Sequence, residues 1–134
     1  MREASRLLVI GIGGAFGALS RNGIAQLFGS APIELGDQIA SFPWATLTVN
    51  VIGALLIGIL AVALMADGDG YLRPFLITGF LGGFTTFSAL ALEAADLMDN
   101  NMWLTALVYL AVTVGAGLVA VQFGIRATQR MVKS

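Results

Sequence analysis

Four long apolar stretches, separated by short polar segments, are the feature that most constrains the fold of this chain. They run over residues 7–28, 44–66, 75–98 and 103–125, with ends placed to within a few residues. A helix that crosses a membrane needs about 20 apolar residues. The pattern therefore predicts an all-α membrane protein in which residues 1–134 form one domain with four transmembrane helices.

The composition excludes the other common classes of protein. Of the 134 residues, 57% are hydrophobic and 11% are charged, whereas soluble domains have about 45–50% and about 25%. A soluble domain of this length has too small an interior to bury so much apolar surface. The chain contains no Cys and no His, which excludes a disulfide framework, the usual zinc sites and a nucleophile–histidine pair.

Basic residues lie almost entirely on one side of the predicted membrane. With four spans, both termini and the second connection share a side, and its cations are Arg2, Arg6, Arg73, Arg126, Arg130 and Lys133. The charged residues of the opposite connections are Glu34, Asp37 and Asp99. Because cytoplasmic segments are enriched in Lys and Arg, both termini are expected in the cytoplasm. Arg21, inside the first span, is expected to reach the far surface or to pair internally, in a structural role.

Polar residues form stripes on the second and fourth spans. Thr46 and Asn50 share one helix face in the second span, and Thr105, Tyr109, Thr113 and Gly117 follow one another at i+4 steps in the fourth. The stripes are typical either of helix–helix contacts or of the wall of a polar path. Asn50 cannot satisfy its amide within its own helix. It is expected to be a structural clamp or a ligand.

The third span contains two adjacent glycines followed by two threonines and a serine, in the segment 78–88. These residues weaken a helix, so the pattern predicts a break at Gly82–Gly83 that exposes backbone to a cavity or an ion. A second interpretation is close helix packing through Gly79 and Gly83. Glu93 follows one to two turns later and is expected to be structural. With no carboxylate at the centre of any span, passive conduction is favoured over proton coupling or enzyme chemistry.

Three motifs resemble those of the Fluc (CrcB) fluoride channels. They are Gly13-Gly-Ala-Phe-Gly-Ala-Leu-Ser-Arg21, Thr46-Leu-Thr-Val-Asn50 followed by Gly53, and Gly79-Phe-Leu-Gly-Gly-Phe-Thr-Thr-Phe-Ser88. Their order and spacing match the family over nearly the whole chain. The resemblance implies a fluoride-selective channel, not an enzyme. Such a channel lies in the prokaryotic plasma membrane, exports cytoplasmic fluoride passively and confers fluoride resistance.

The resemblance also implies an antiparallel two-subunit assembly with pores at the interface. The residues implied to line the fluoride path are Phe87, Asn50, Thr46, Ser88, Tyr109 and Thr113. At the break in the third span, the backbone carbonyls of Gly82 and Thr85 are implied to hold a central structural sodium ion.

Two residues depart from the family pattern, and the charges raise a further question. Leu90 replaces a second phenylalanine common in the family, and Gly117 replaces a hydroxyl found in some relatives. An antiparallel homodimer requires dual topology, which the one-sided distribution of cations disfavours. A heterodimer is therefore favoured, in which an oppositely oriented homologue supplies the missing phenylalanine. The rival is a dual-topology homodimer.

Two other functions remain open from the residues alone. A proton-coupled exporter of the small multidrug type also has four helices, but it needs a carboxylate deep in the first span, where this sequence has none. A non-conducting subunit of a membrane assembly would use the glycine pairs for packing alone.

Overall fold

The computed structural model describes most of the chain. It covers residues 3–28, 32–35, 38–65 and 70–133, and for 32–35 and 38–41 it gives the backbone alone. Among the charges counted above, Arg2, Asp37 and the side chain of Glu34 lie outside the described residues.

Within these described ranges, four helical segments are long and apolar enough to span a membrane, which confirms the all-α, four-span fold class. Helix α1 is Glu3–Phe28, α2 is Trp44–Ala63, the third span is Pro74–Asp99 and α5 is Trp103–Lys133. The last helix continues past residue 125, where its apolar stretch ends. The assignment of residues 1–134 to a single domain stays a prediction.

The third span consists of two helices. Pro74–Leu81 is π-helical and continues as an α-helix through Gly82–Phe84, and we call this segment α3. Helix α4 is Phe87–Asp99. Wider π-type turns are rare and occur mostly at functional sites.

A small hairpin lies in the connection between α1 and α2. Strands β1 (Pro32–Leu35) and β2 (Gln38–Ser41) are antiparallel, with Pro32 opposite Ser41 and Leu35 opposite Gln38. The hairpin lies outside the predicted spans, in a segment predicted to be a polar connection, and so it leaves the helical fold class unchanged.

Glycines bring α1 and α3 into close contact. A Cβ on Gly17 would collide with the carbonyl oxygen of Phe80 and lie 2.8 Å from the backbone nitrogen of Phe84, and one on Gly79 would lie 2.7 Å from the carbonyl oxygen of Ile10. Small residues allow such backbone approach between membrane helices. The packing interpretation of the glycine pairs is confirmed, and the contacts show that α1 and α3 run parallel.

Helix α2 packs in the same way against α5. A Cβ on Gly124 would lie 2.5 Å from the carbonyl oxygen of Leu55, and one on Gly58 would collide with the carbonyl oxygen of Val121. These two helices are also parallel, because Gly117 lies against Ala54, whereas Gly58, later in α2, lies against Val121, later in α5. The chain therefore forms two helix pairs.

Helix α4 packs against the pair formed by α2 and α5. Its buried residues pack against the start of α5 in one apolar cluster, which consists of Leu90, Ala94, Leu97, Met102, Ala106 and Tyr109. A smaller cluster before the interruption contains Val49, Leu81 and Phe84. The third span thus contacts α1 in its first half and α5 in its second half.

Replacing Gly17 with alanine is expected to destabilise the fold by about 1–3 kcal/mol, the usual cost of overpacking. The obstacle is the backbone of α3, which cannot move aside as a flexible side chain can. Gly23→Ala in the same helix is the control, because a Cβ there meets nothing within 4 Å. Thermal unfolding in detergent measures both variants. Equal unfolding temperatures would contradict the close contact of α1 with α3.

Candidate functional site

The third span is interrupted at Thr85 and Thr86, not at Gly82–Gly83 as predicted from the sequence. Thr85 (φ −81°, ψ 157°) and Thr86 (φ −151°, ψ 119°) are extended, whereas both glycines are helical. Thr86 Oγ1 accepts a hydrogen bond from the N–H of Ala89 at 3.1 Å, as an N-cap residue does. β-Branched side chains also tolerate an extended backbone well. Capping and tertiary contacts therefore set the position of the break.

The side chain of Asn50 binds the interrupted backbone at two points. Its Nδ2 donates to the carbonyl oxygen of Thr86 at 3.0 Å, and its Oδ1 accepts from the N–H of Thr86 at 2.8 Å. In a continuous helix this N–H would donate to the carbonyl of Gly82. Asn50 thus holds the break open, and one of its two amide protons is still available to a ligand.

The carboxylate of Glu93 joins three helices. Its Oε1 accepts a hydrogen bond from Thr46 Oγ1 of α2 at 2.7 Å, and its Oε2 accepts one from the hydroxyl of Tyr109 of α5 at 2.6 Å. Tyr109 is fully buried, and the ring of Phe42 lies edge-on to it with centroids 5.5 Å apart. The arrangement supports a structural role for Glu93, which stays a prediction.

Both hydroxyls were predicted from the sequence to line the path, but the sequence did not connect them with Glu93. Each buried hydroxyl needs a hydrogen-bond acceptor outside its own stripe, and this need could have pointed to a carboxylate on another helix. Glu93 lies five residues inside the end of the third predicted span, and Tyr109 lies six residues inside the start of the fourth, so the two are close in depth. Since both hydroxyl protons point to this carboxylate, neither is free for another anion.

A groove of about 340 Å³ lies between α2, α4 and α5. Asn50, Leu90, Thr113 and Gly117 are among the residues that line it, and its other walls are largely apolar. Thr113 is only 4% exposed, and within the described part of the chain its hydroxyl has no hydrogen-bond partner. Thr113, with a buried hydroxyl that lacks a partner, and Asn50, with one free amide proton, therefore line the same groove. Both departures from the family pattern lie on its wall.

Phe87 and Ser88 lie on the outer surface of the chain at the break. The side chain of Phe87 is 79% exposed, although Phe84 is buried and stacks on Phe80 at 5.9 Å. Ser88 is exposed and shares a hydrogen bond of 3.1 Å with the hydroxyl of Thr86. The interruption changes the direction in which the phenylalanines point, so Phe87 leaves the stripe that a continuous helix would give.

The backbone at the break has the chemistry of a small cation site. The carbonyl of Gly82 lacks its helical donor, because the N–H of Thr86 binds Asn50, and the extended Thr85 takes its own carbonyl out of the helical pattern. Freed carbonyls at this depth are suited to hard cations, which prefer oxygen ligands. Among the described residues there is no group of three or more acidic or metal-binding side chains. These two carbonyls thus fit a singly charged cation.

Arg21 lies one helical turn beyond Gly17, close in depth to the break. It is partly buried and makes no hydrogen bond or ion pair with the residues that the structure describes. The internal pairing considered from the sequence is therefore not formed in this part of the subunit. Its structural role stays a prediction.

Known proteins match the chain over nearly its full length. The sequence profile of the family described as CrcB-like protein, Camphor Resistance (CrcB), matches residues 8–125. The fluoride-specific ion channel FluC of Rhizobium meliloti is 39% identical over 132 residues, which cover 96% of this chain and 99% of the relative. A protein of the same name from Cereibacter sphaeroides is 40% identical over 129 residues, covering 93% and 95%. FluC 1 of Mycolicibacterium paratuberculosis is 35% identical over 127 residues, covering 93% and 91%.

Proposed function

The chain belongs to the CrcB family, and on this premise we propose that it is a subunit of a fluoride-selective ion channel. It is a multi-pass protein of the prokaryotic plasma membrane, and it exports cytoplasmic fluoride by passive conduction. The names of its relatives support fluoride as the transported ion. No specific observation favours an exporter of the multidrug type or a packing subunit.

The single observation that carries the proposal is the polar break exposed on the outer surface of a membrane span. Phe87 and Ser88 are exposed there, and a Cβ on Gly82 would meet nothing within 4 Å. Lipid cannot satisfy the polar groups of an interrupted backbone, so such a surface has to be covered by protein or to line a polar cavity. An antiparallel second subunit is the cover that we propose, with the fluoride path along the interface.

The proposed path uses the donors that this chain leaves free. Fluoride is small and strongly hydrated, so a narrow pore has to replace its lost water with donors or partial positive charge. The second amide proton of Asn50 and the hydroxyl of Thr113 supply donors in the groove. The hydroxyl of Ser88 and the electropositive ring edge of Phe87 add to them at the interface. Thr46 and Tyr109 donate their protons to Glu93 and are not among the residues that line the groove, so neither supplies a donor there.

A sodium ion held by the carbonyls of Gly82 and Thr85 is the second part of the proposal. One subunit contributes two carbonyls, and an antiparallel partner related by an approximate twofold axis would contribute two more. When bound, the ion supplies fixed positive potential near the path without itself being transported. The chain's own contribution is the break, which Asn50 and the cap at Thr86 keep in place.

The distribution of charge favours a heterodimer. The cations of the described residues cluster on the side of both termini, except for Arg21, and one sequence with this bias is poorly suited to insertion in both orientations. We therefore favour an oppositely oriented homologue as partner, which supplies the phenylalanine that Leu90 replaces in this chain. The chain purified alone from a host without other family members is then expected to give little fluoride efflux from liposomes. Robust efflux would establish the dual-topology homodimer instead.

Phe87→Ile is expected to slow fluoride efflux by about twofold to tenfold, because an aromatic edge contributes roughly 0.5–1.5 kcal/mol and each 1.4 kcal/mol is about a factor of ten in rate. The sample, called the purified assembly, is the complex that purifies with a tag on this chain. The cells that produce it also contain the other CrcB-family proteins encoded in the same genome. Phe123→Ile is the control, since Phe123 is 66% exposed on α5 away from the groove. Equal rates for the two variants would contradict the proposed place of Phe87 in the path.

A further inference from the structure

The last two turns of α5 contain a row of cations that the proposed fluoride path does not use. Arg126, Arg130 and Lys133 are all exposed, and their i, i+4, i+7 spacing places them on one face of the helix. No Asp or Glu occurs anywhere in α5 to neutralise them within the helix. The row is therefore a concentrated positive surface at one end of the molecule.

The row continues an exposed apolar face of the same helix. Val112, Val119 and Phe123 precede Arg126 at heptad-like steps of seven, four and three residues, and all three side chains are well exposed. The opposite face contains the buried residues Gly124 and Thr128, of which Gly124 packs on α2. The cations thus point away from the subunit, in line with the part of α5 that lies open to its surroundings.

The depth of the row places it in the headgroup layer. The apolar part of α5, Trp103–Ile125, is about 34 Å long at a rise of 1.5 Å per residue, close to the roughly 30 Å hydrocarbon thickness of a bilayer. Arg126 therefore lies at the edge of the hydrocarbon. Arg130 and Lys133 follow within about 10 Å along the axis, and their long flexible stems can reach back toward the lipid phosphates.

We propose that Arg126, Arg130 and Lys133 bind the phosphate of an anionic phospholipid whose acyl chains lie along Val119 and Phe123. A guanidinium binds phosphate oxygens in a bidentate manner, and two such groups one turn apart can share a single headgroup. The headgroup of a zwitterionic lipid carries its own positive charge, so the row of cations adds little to its binding. Each Lys or Arg strengthens binding to an anionic surface about fivefold.

Native mass spectrometry of the purified assembly tests this site, with phosphatidylglycerol and phosphatidylcholine as the probes. The wild type is expected to retain phosphatidylglycerol preferentially. Arg126→Gln combined with Arg130→Gln is expected to weaken this retention about 25-fold, two cations at about fivefold each. Neither residue belongs to the proposed fluoride path, so unchanged thermal unfolding and fluoride efflux show that the variant is folded.

A charge-neutral control separates a defined row from general positive charge. Exchanging two neighbours, Arg130→Met with Met131→Arg, keeps the composition and moves one cation to a position about 140° around the helix from Arg126. Met131 is itself exposed, so the position accepts a charged side chain. This exchange is expected to weaken retention about fivefold. The site is overturned if the wild type retains both lipids equally, if the double variant binds like the wild type, or if the exchange has no effect.

Discussion

Replacing Asn50 with alanine is expected to remove most fluoride conduction while the chain still inserts into the membrane. The variant loses both hydrogen bonds to Thr86, at 3.0 and 2.8 Å, and leaves a backbone N–H and a carbonyl unpaired inside a span. Each unpaired buried group costs about 1–3 kcal/mol. The break then loses its brace, and the groove loses the free amide proton. Each 1.4 kcal/mol added to the barrier for transport slows it about tenfold, so fluoride efflux is expected to fall at least tenfold.

The matched control is Asn100→Ala. Asn100 also donates its Nδ2 to a backbone carbonyl, that of Asp96 at 2.7 Å, but it is exposed at the end of α4. Fluoride efflux from liposomes that contain the purified assembly measures both variants, with thermal unfolding as the check on folding. Near wild-type efflux in Asn50→Ala would show that Asn50 neither holds the break in place nor donates to the fluoride path.

Replacing Glu93 with alanine is expected to destabilise the fold strongly, because one carboxylate accepts hydrogen bonds from two other helices. The substitution leaves the hydroxyls of Thr46 and Tyr109 without an acceptor, and Tyr109 is fully buried. Hydrogen bonds to a charged group contribute about 1.5–3 kcal/mol each. Loss of both is expected to cost about 3 kcal/mol or more and to loosen α2, α4 and α5 from one another.

Two further variants separate the contribution of the hydrogen bonds from that of the charge. Glu93→Gln keeps the size and one acceptor oxygen, so its stability is expected to fall between those of wild type and alanine. Asp99→Asn removes a carboxylate from the exposed end of α4 and is expected to change little. Thermal unfolding in detergent gives the ranking. An alanine variant as stable as Asp99→Asn would show that Glu93 does not hold the three helices together.

The four spans could be predicted from the sequence because membrane insertion is decided by the length and polarity of local segments. The close packing at Gly79 and Gly83 could also be predicted from the sequence, because small residues four apart form one flat face of a helix. Both properties belong to a single helix. They need no knowledge of which helices become neighbours.

The details of the site depend on contacts between distant segments, so they could be predicted less well from the sequence. Local propensity pointed to Gly82–Gly83 as the break, but Asn50, 36 residues earlier in the chain than Thr86, stabilises the extended threonines instead. Spacing likewise put Thr46 and Tyr109 on two stripes and could not show that both donate to Glu93. The outward position of Phe87 follows from the same displaced break.

Simultaneous measurement of fluoride and chloride efflux from liposomes that contain the purified assembly tests the central claim most directly. A path that replaces water around a small, strongly hydrated anion with a few fixed donors is expected to favour fluoride. The account predicts that fluoride leaves the liposomes while chloride is retained. Equal release of both anions, or retention of both, would contradict it.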